Sequence, residues 1–378
     1  MATAAVPPAT RVEDLDRVEE QARTAVSGPV TLRHAAGVIT FAPEEIGRIL
    51  RVERDPEGVP AIVSDATVLT EVLGDEIARL ETAPVDASFQ VSGGVVTVVE
   101  GRPGTVFDPQ ATAAQLLDVA TAGGSREAEL AGQAVVEPER SVADAEALRI
   151  TQQVSTFTTN HAGGEARVRN IHRIADLLDG VVVDPGANFS VNDFVGERTE
   201  AKGFVPAPAI QDGEFIPSVG GGVSQFATTM FNAAFFGGYE IVEHKPHSQY
   251  ISRYPEGREA TLSYPGVDLE IRNDSPCGLL IDTSYTNTSI TVSFYGCPWV
   301  SVSESTSGRS NITGPETIVR PAEPDDGVAP GEQKVVQEGG GQGFDVTVTR
   351  TRTFPDGRTD SEQFQTRYVA TPTIIAQG

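Results

Sequence analysis

VGGGVSQFATTMFNAAFFGG, from Val219 to Gly238, sets three consecutive glycines before a valine and a serine and ends on two more. The first glycines suit a tight loop, and the final pair suits a helix stop. On a helix, Gln225, Thr228, Thr229 and Asn232 fall at i, i+3, i+4 and i+7 and share one face. Phe226, Met230, Ala233 and Ala234 share another. No residue from 219 to 239 is charged, whereas a solvent-facing helix normally carries Lys or Glu on its polar side. The stretch therefore predicts a buried helix whose polar stripe either lines a pocket or is bonded within a core. Strand-like runs follow it: YEIVEHKPHSQYIS, EATLSYPGVDLEIRND and GLLIDTSYTNTSITVSFYG. A helix followed by several strands predicts an α+β fold with the helix packed on an antiparallel sheet.

Ser224 stands where the loop opens the helix, and it admits three readings. It caps the helix, it is a binding hydroxyl, or it is a nucleophile. The free backbone N–H groups of a helix start favour a carboxylate or oxyanion there, and Gly220, Gly221 and Gly222 let a ligand approach closely. A nucleophile reading needs a base and an orienter. His247 and His244 are the candidate bases, with Asp268 or Glu259 behind them. A phosphate-binding loop is excluded, because GGGVSQ lacks the Gly-Lys-Ser/Thr ending. Upstream, ARVRNIH opens a helix expected over 166–178. Its Arg167, Arg169 and Asn170 are either carboxylate-recognition groups or surface charges.

The chain has 378 residues, with 53 acidic against 28 basic side chains and a net charge of −25. That balance argues against nucleic acid and anionic membrane surfaces as partners. No run of 18 apolar residues exists, so no spanning helix is expected. The start, MATAAVPPATRVEDLD, lacks a basic region followed by an apolar one. The chain is either cytosolic or the exported part of a longer protein. The two cysteines, Cys277 and Cys297, lie ten residues either side of Asn287. A hairpin turning there brings them within disulfide reach, and a slip of register separates them. A bond would favour an oxidising, extracytoplasmic location. His161 and His172 show no metal-ligand spacing with the other histidines, and DPGANFSVND lacks a regular calcium-loop spacing. No metal and no cofactor are expected.

The chain divides into a tail (1–14), an α+β module (15–140), a central domain (148–298), a Ser/Thr/Gly/Pro/Glu-rich linker (299–332) and a small β module (333–378). In the first module, helices are expected at VEDLDRVEEQARTAV, APEEIGRIL, SDATVLTEVLGDEIARL and DPQATAAQLLDVAT. Hairpins are expected at VTLRHAAGVITF, turning at AAG, and at ASFQVSGGVVTVVEG. Nothing in this module resembles a catalytic cluster.

The residues from FTTNHAGGEARVRNIHRIADLLDG through GGGVSQFATTMFN to HKPHSQYISRYPEGREATLSYPGVDLEIRN resemble a VanW domain, with the motifs in order from about Thr156 to Gly296. Residues 15–140 resemble the peptidoglycan-binding domain that often precedes it in bacterial surface proteins. The resemblance implies a cell-envelope protein facing the wall, with peptidoglycan or its peptide and glycan fragments as partner. It also implies a membrane anchor in a longer precursor. The family pattern usually reads Gly-Gly-Gly-x-Cys-Gln, and here Ser224 takes the cysteine position. By analogy with cysteine enzymes of that order, Ser224, His247 and Asp268 would be nucleophile, base and orienter. Serine forms the reactive anion far less easily than cysteine. Three functions follow as expectations: a wall-binding groove beside Gly220–Asn232, a Ser/His hydrolase or acyl-transferase on stem peptides, and a structural spacer.

Overall fold

A computed structural model describes residues 10–34, 37–211 and 214–378. The fold is α+β, with helices and strands in several small sheets. The chain forms two compact units, one of residues up to 87 together with 100–142, the other of residues 88–99 together with 143–378.

In the first unit the caps act as their sequences demand. Helix Val12–Ala25 begins inside the expected tail, whose residues 1–9 lie outside the described ones. Pro43 occupies the first turn of helix Pro43–Ile49, where its missing N–H costs nothing. Asp65 accepts from the amides of Thr67 and Val68 to start helix Ala66–Leu73, and Asp108 accepts from Ala111 N to start Pro109–Thr121. The expected helix 64–80 breaks at Gly74, whose φ is +49°. Strands Val30–His34 and Gly37–Phe41 pair as expected, Val30 opposite Phe41; of the AAG turn, Gly37 opens the second strand and residues 35 and 36 lie outside the described ones. Leu32, Ile46, Leu69 and Leu116 are fully buried in one core.

The second unit is built on a four-stranded antiparallel sheet. Its strands are Gln152–Asn160, Ser289–Gly296, Leu279–Thr286 and Val182–Val183, in that order. Helix Ala166–Leu178 has the expected limits. Helix Ser224–Gly237 packs on the sheet and is buried on every side, Gln225 to Phe235 without exception. A helix with no solvent face needs no charged side, which explains the composition of the stretch. Val348 and Phe364, on strands Gly343–Thr353 and Thr359–Tyr368, complete the same core around this helix. The serine-rich segment after residue 300 forms strand Ser301–Thr306, paired with Gly343–Thr353.

The hairpin Ser88–Ser92/Val95–Val99 forms as expected, but Phe89, Val91 and Val96 pack on Ile150, Leu280 and Tyr295 of the second unit. Cys277 and Cys297 are disulfide-bonded, with Cα atoms 6.0 Å apart. The ladder pairs Leu280 with Tyr295 and Thr286 with Ser289. Its turn therefore centres between Asn287 and Thr288, half a residue beyond the expected point. The cysteines lie just past the ladder's regular part, where this offset is absorbed.

Candidate functional site: a cavity at the glycine loop

The glycine loop is held by geometry that other residues could not adopt. A Cβ on Gly221 would stand 2.1 Å from the carbonyl oxygen of Ala207. Gly222 has φ +95° and lies against the Arg167 side chain. Asn170, fully buried, clamps the loop. It donates to the carbonyls of Val205 and Gly221 at 2.8 and 2.9 Å and accepts from Val205 N at 2.8 Å. Both of its donors and one lone pair of its oxygen are spent on the scaffold.

The polar stripe is likewise consumed. Thr228 Oγ1 donates to Ala260 O and accepts from Ala260 N, both at 3.1 Å. Thr229 Oγ1 bonds Thr159 Oγ1 and Gln225 O, each at 2.7 Å. Asn232 donates to the carbonyls of Thr228 and Arg258. Gln225 donates to Thr159 Oγ1 and Asn160 O and accepts from Arg167. These bonds tie the helix to the sheet and to the segment around 258–262. Thr228, Thr229 and Asn232 do not reach the cavity described next; Gln225 does.

A cavity of about 780 Å³ opens at the N-terminal end of the helix, lined by Gly220, Gly221, Gly222, Ser224, Gln225 and His247 among others. Ser224 makes no side-chain cap; its Oγ accepts from the amide of Leu262 at 3.1 Å. The helix starts at Ser224 itself, so the capping position belongs to Val223. His247 is nearly buried, and its Nδ1 lies 2.6 Å from Glu259 Oε2. That contact leaves Nε2 as the ring nitrogen available to the cavity. Glu259, fully buried, also accepts from the Tyr368 hydroxyl at 2.6 Å, which in turn accepts from Gly257 N at 2.8 Å. Burial first, and then the Glu259 charge, push the Tyr368 phenol up. The carboxylate behind His247 is thus Glu259 rather than Asp268. Asp268 accepts from the Ser190 hydroxyl and from the amides of Asn192 and Leu269; it does not line the cavity, although its charge reaches Arg198, which does. His244 is set apart as well, stacked on Phe231 at 4.7 Å. Burial depresses it to about 4.

Three arginines line the cavity: Arg167, Arg198 and Arg253. Arg169, expected beside Arg167, is exposed and does not. The Arg167 side chain is 13% exposed and is lowered chiefly by burial, with Tyr254 opposing and the Arg253 cation adding to the fall. Burial pushes the Tyr254 phenol up to about 12, against the pull of Arg167 and Arg253. Tyr254 stacks on His247 with ring centres 5.5 Å apart. Sequence reasoning missed Arg198, Arg253, Tyr254 and Tyr368. Arg198, Arg253 and Tyr254 sit in irregular segments, where no period marks which way they face; Tyr368 ends a strand whose alternation marks its face as inward but not what that face meets.

Among the described residues no cluster of His, Cys, Asp or Glu could hold a metal ion, and no helix is long and apolar enough to cross a membrane.

Residues 166–295 match the family described as "VanW like protein", and residues 38–129 match the "Putative peptidoglycan binding domain". The chain is 36% identical over 146 residues to the uncharacterized protein YoaR of Bacillus subtilis, which covers 38% of this chain and 48% of that protein. It is 26% identical over 120 residues to the vancomycin B-type resistance protein VanW of Enterococcus faecalis, covering 30% of this chain and 43% of that one. The matched part thus spans less than half of each of these two relatives. No solved structure matches.

Proposed function

We propose that this chain, which carries a VanW-like domain and a peptidoglycan-binding type of domain ahead of it, binds a peptide or glycan of peptidoglycan in the cavity beside Gly220–Asn232. The two domains support a cell-wall-associated protein, and the disulfide and the first domain point to an extracytoplasmic location. The observation that carries the finer reading is the cavity at the helix start, lined by glycine backbone, Ser224, Gln225 and His247. Concave sites with a few fixed polar groups are the usual form of a ligand site. The spacer reading gains from the bonded stripe and loses from the cavity at the stripe's end. The test is co-sedimentation of the purified chain with insoluble peptidoglycan. Wild type is expected in the pellet, with Ser224→Ala only weakening retention. A chain that stays in the supernatant with every wall preparation overturns the reading.

A second reading is favoured by one contact. Glu259 at 2.6 Å from His247 Nδ1 supplies the orienter that a general base needs, and Ser224 lines the same cavity. Under it, Ser224 attacks a stem-peptide carbonyl as His247 takes its proton, the amide bond breaks with that proton passing to the leaving amine, and water or an acceptor amine then releases the acyl group from Ser224. Mass spectrometry of muropeptides incubated with the chain decides it. New products that vanish in both Ser224→Ala and His247→Ala support it, and an unchanged profile removes it.

A further inference from the structure

We infer that the cavity is a carboxylate site, recognising the free carboxylate end of a short peptide through Arg253, Arg167 and Arg198. The inference rests on the reading that the cavity holds a ligand, and it names the group that ligand must carry. Three arginines and two glutamates, Glu165 and Glu197, line the cavity, a balance of +1 in a chain whose net charge is −25. Both glutamates are exposed, so they offset the arginines through water and weakly.

The arginines are unusual in their partners. Arg198 is 8% exposed. Its Nη1 donates to Asn192 Oδ1 at 2.5 Å and to Gly196 O at 3.0 Å, while its Nε and Nη2 are buried without a partner. Buried donors left unpaired carry a desolvation cost, which a ligand, an ion or a water that accepts from them relieves. Nε and Nη2 together form the side edge of the guanidinium, which matches the two oxygens of a carboxylate. Both nitrogens are closed to water, so a ligand reaches them by shifting the cavity wall. Arg253 is exposed and, among the described residues, has no ion pair; its guanidinium lies over the Tyr254 ring at 5.8 Å. Arg167 is held by Gln225 at 2.7 Å, with Glu165 no nearer than 3.7 Å. Asp268 acts on Arg198 and Glu165 on Arg167, so Arg253 is the least compensated of the three, and an anion entering between the arginines is stabilised by them. An apolar or neutral sugar ligand would bring no negative charge to this net-positive lining.

The test uses the full chain and N-acetyl-D-alanyl-D-alanine, which carries a single carboxylate, beside its C-terminal carboxamide, in calorimetric titration. The free acid is expected to bind about tenfold more tightly than the carboxamide or better, because a charge-assisted pair is lost in the amide. Raising salt from about 0.05 to about 0.5 M is expected to weaken the acid and spare the amide. Arg198→Gln removes a buried clamp on Asn192 and can fail to fold. Arg253→Gln, at an exposed position, carries the test instead, and is expected to weaken the acid about fivefold with no change for the amide. Equal affinity for acid and amide, or none for either, overturns the inference. Peptidoglycan co-sedimentation separates it from the parent reading. Wall binding with no preference for the acid leaves the proposed function standing and removes the carboxylate site. A clear acid preference without wall binding does the reverse.

Discussion

At the scale of single residues, the chain spends its buried polar groups on holding the 244–268 segment against the glycine-loop helix. Tyr368 shows the cost of breaking one link. Its hydroxyl serves Glu259 and Gly257 together, so Tyr368→Phe strands a buried carboxylate oxygen and a buried amide. The expected loss is about 1–3 kcal/mol in urea unfolding, and an unchanged midpoint would contradict the network. His244 sets a pH dependence. Its pKa falls from 6.5 to about 4 on folding, because the charged ring cannot sit against Phe231 and Phe364. Above pH 6.5 the ring is neutral in both states and stability is whole. As pH falls from 6.5 towards 4, the unfolded chain takes up the proton first and stability declines, by about 3 kcal/mol at most. Below 4 this contribution is flat. Unfolding at pH 7.5 and 4.5 is expected to show that slope in wild type, and a shallower one in His244→Gln. Equal slopes would assign the effect elsewhere. His244 and His247 are three residues apart, yet one lies half-buried against Phe231 and Phe364 and the other is paired with a carboxylate. Sequence spacing alone could not tell them apart, nor choose Glu259 over Asp268. Between the strands ending at Glu243 and starting at Glu270 the chain is irregular, and an irregular segment has no period from which to read a facing direction.

At the scale of elements, legibility follows local chemistry. Helix starts with Asp or Pro, hairpins with Gly-Gly turns and the 166–178 helix were all readable, because their signals lie within a few residues. The charge-free run of 219–239 announced a buried helix for the same reason. It could not announce how its stripe would divide, with Gln225 at the cavity and Thr228, Thr229 and Asn232 sealed in the core. That division depends on partners contributed by Thr159, Arg258 and Ala260. The hairpin of Leu279–Thr286 and Ser289–Gly296 is pinned by a disulfide across 20 residues. Closing such a loop in the unfolded chain is worth about 3 kcal/mol. Replacing both Cys277 and Cys297 by serine is expected to lower stability by that amount in non-reducing buffer. In reducing buffer the wild type should then fall towards the variant. If reductant leaves the wild-type midpoint in place while the variant is also unchanged, the bond contributes nothing to stability.

At the scale of the whole molecule, the division of the chain is less simple than its sequence order. Residues 88–99 lie between two stretches of the first unit, yet their apolar side chains are used by the second. The sequence gives no sign of this, since an alternating hairpin says which face is apolar and not what will cover it. The consequence is thermodynamic. Phe89 and its neighbours cover Ile150, Leu280 and Tyr295, beside the disulfide hairpin, so the hairpin contributes to the stability of a domain in which it is not contiguous. Phe89→Ala in the full chain should remove about 1–3 kcal/mol from that corner, the value of a partly buried aromatic side chain. Hydrogen exchange locates the effect. Faster exchange is expected at 279–296 and in the first half of strand Gln152–Asn160, while the strands 30–41 of the first unit keep their protection. If instead the loss appears in 30–41 and spares 279–296, the hairpin is energetically part of the unit that surrounds it in sequence.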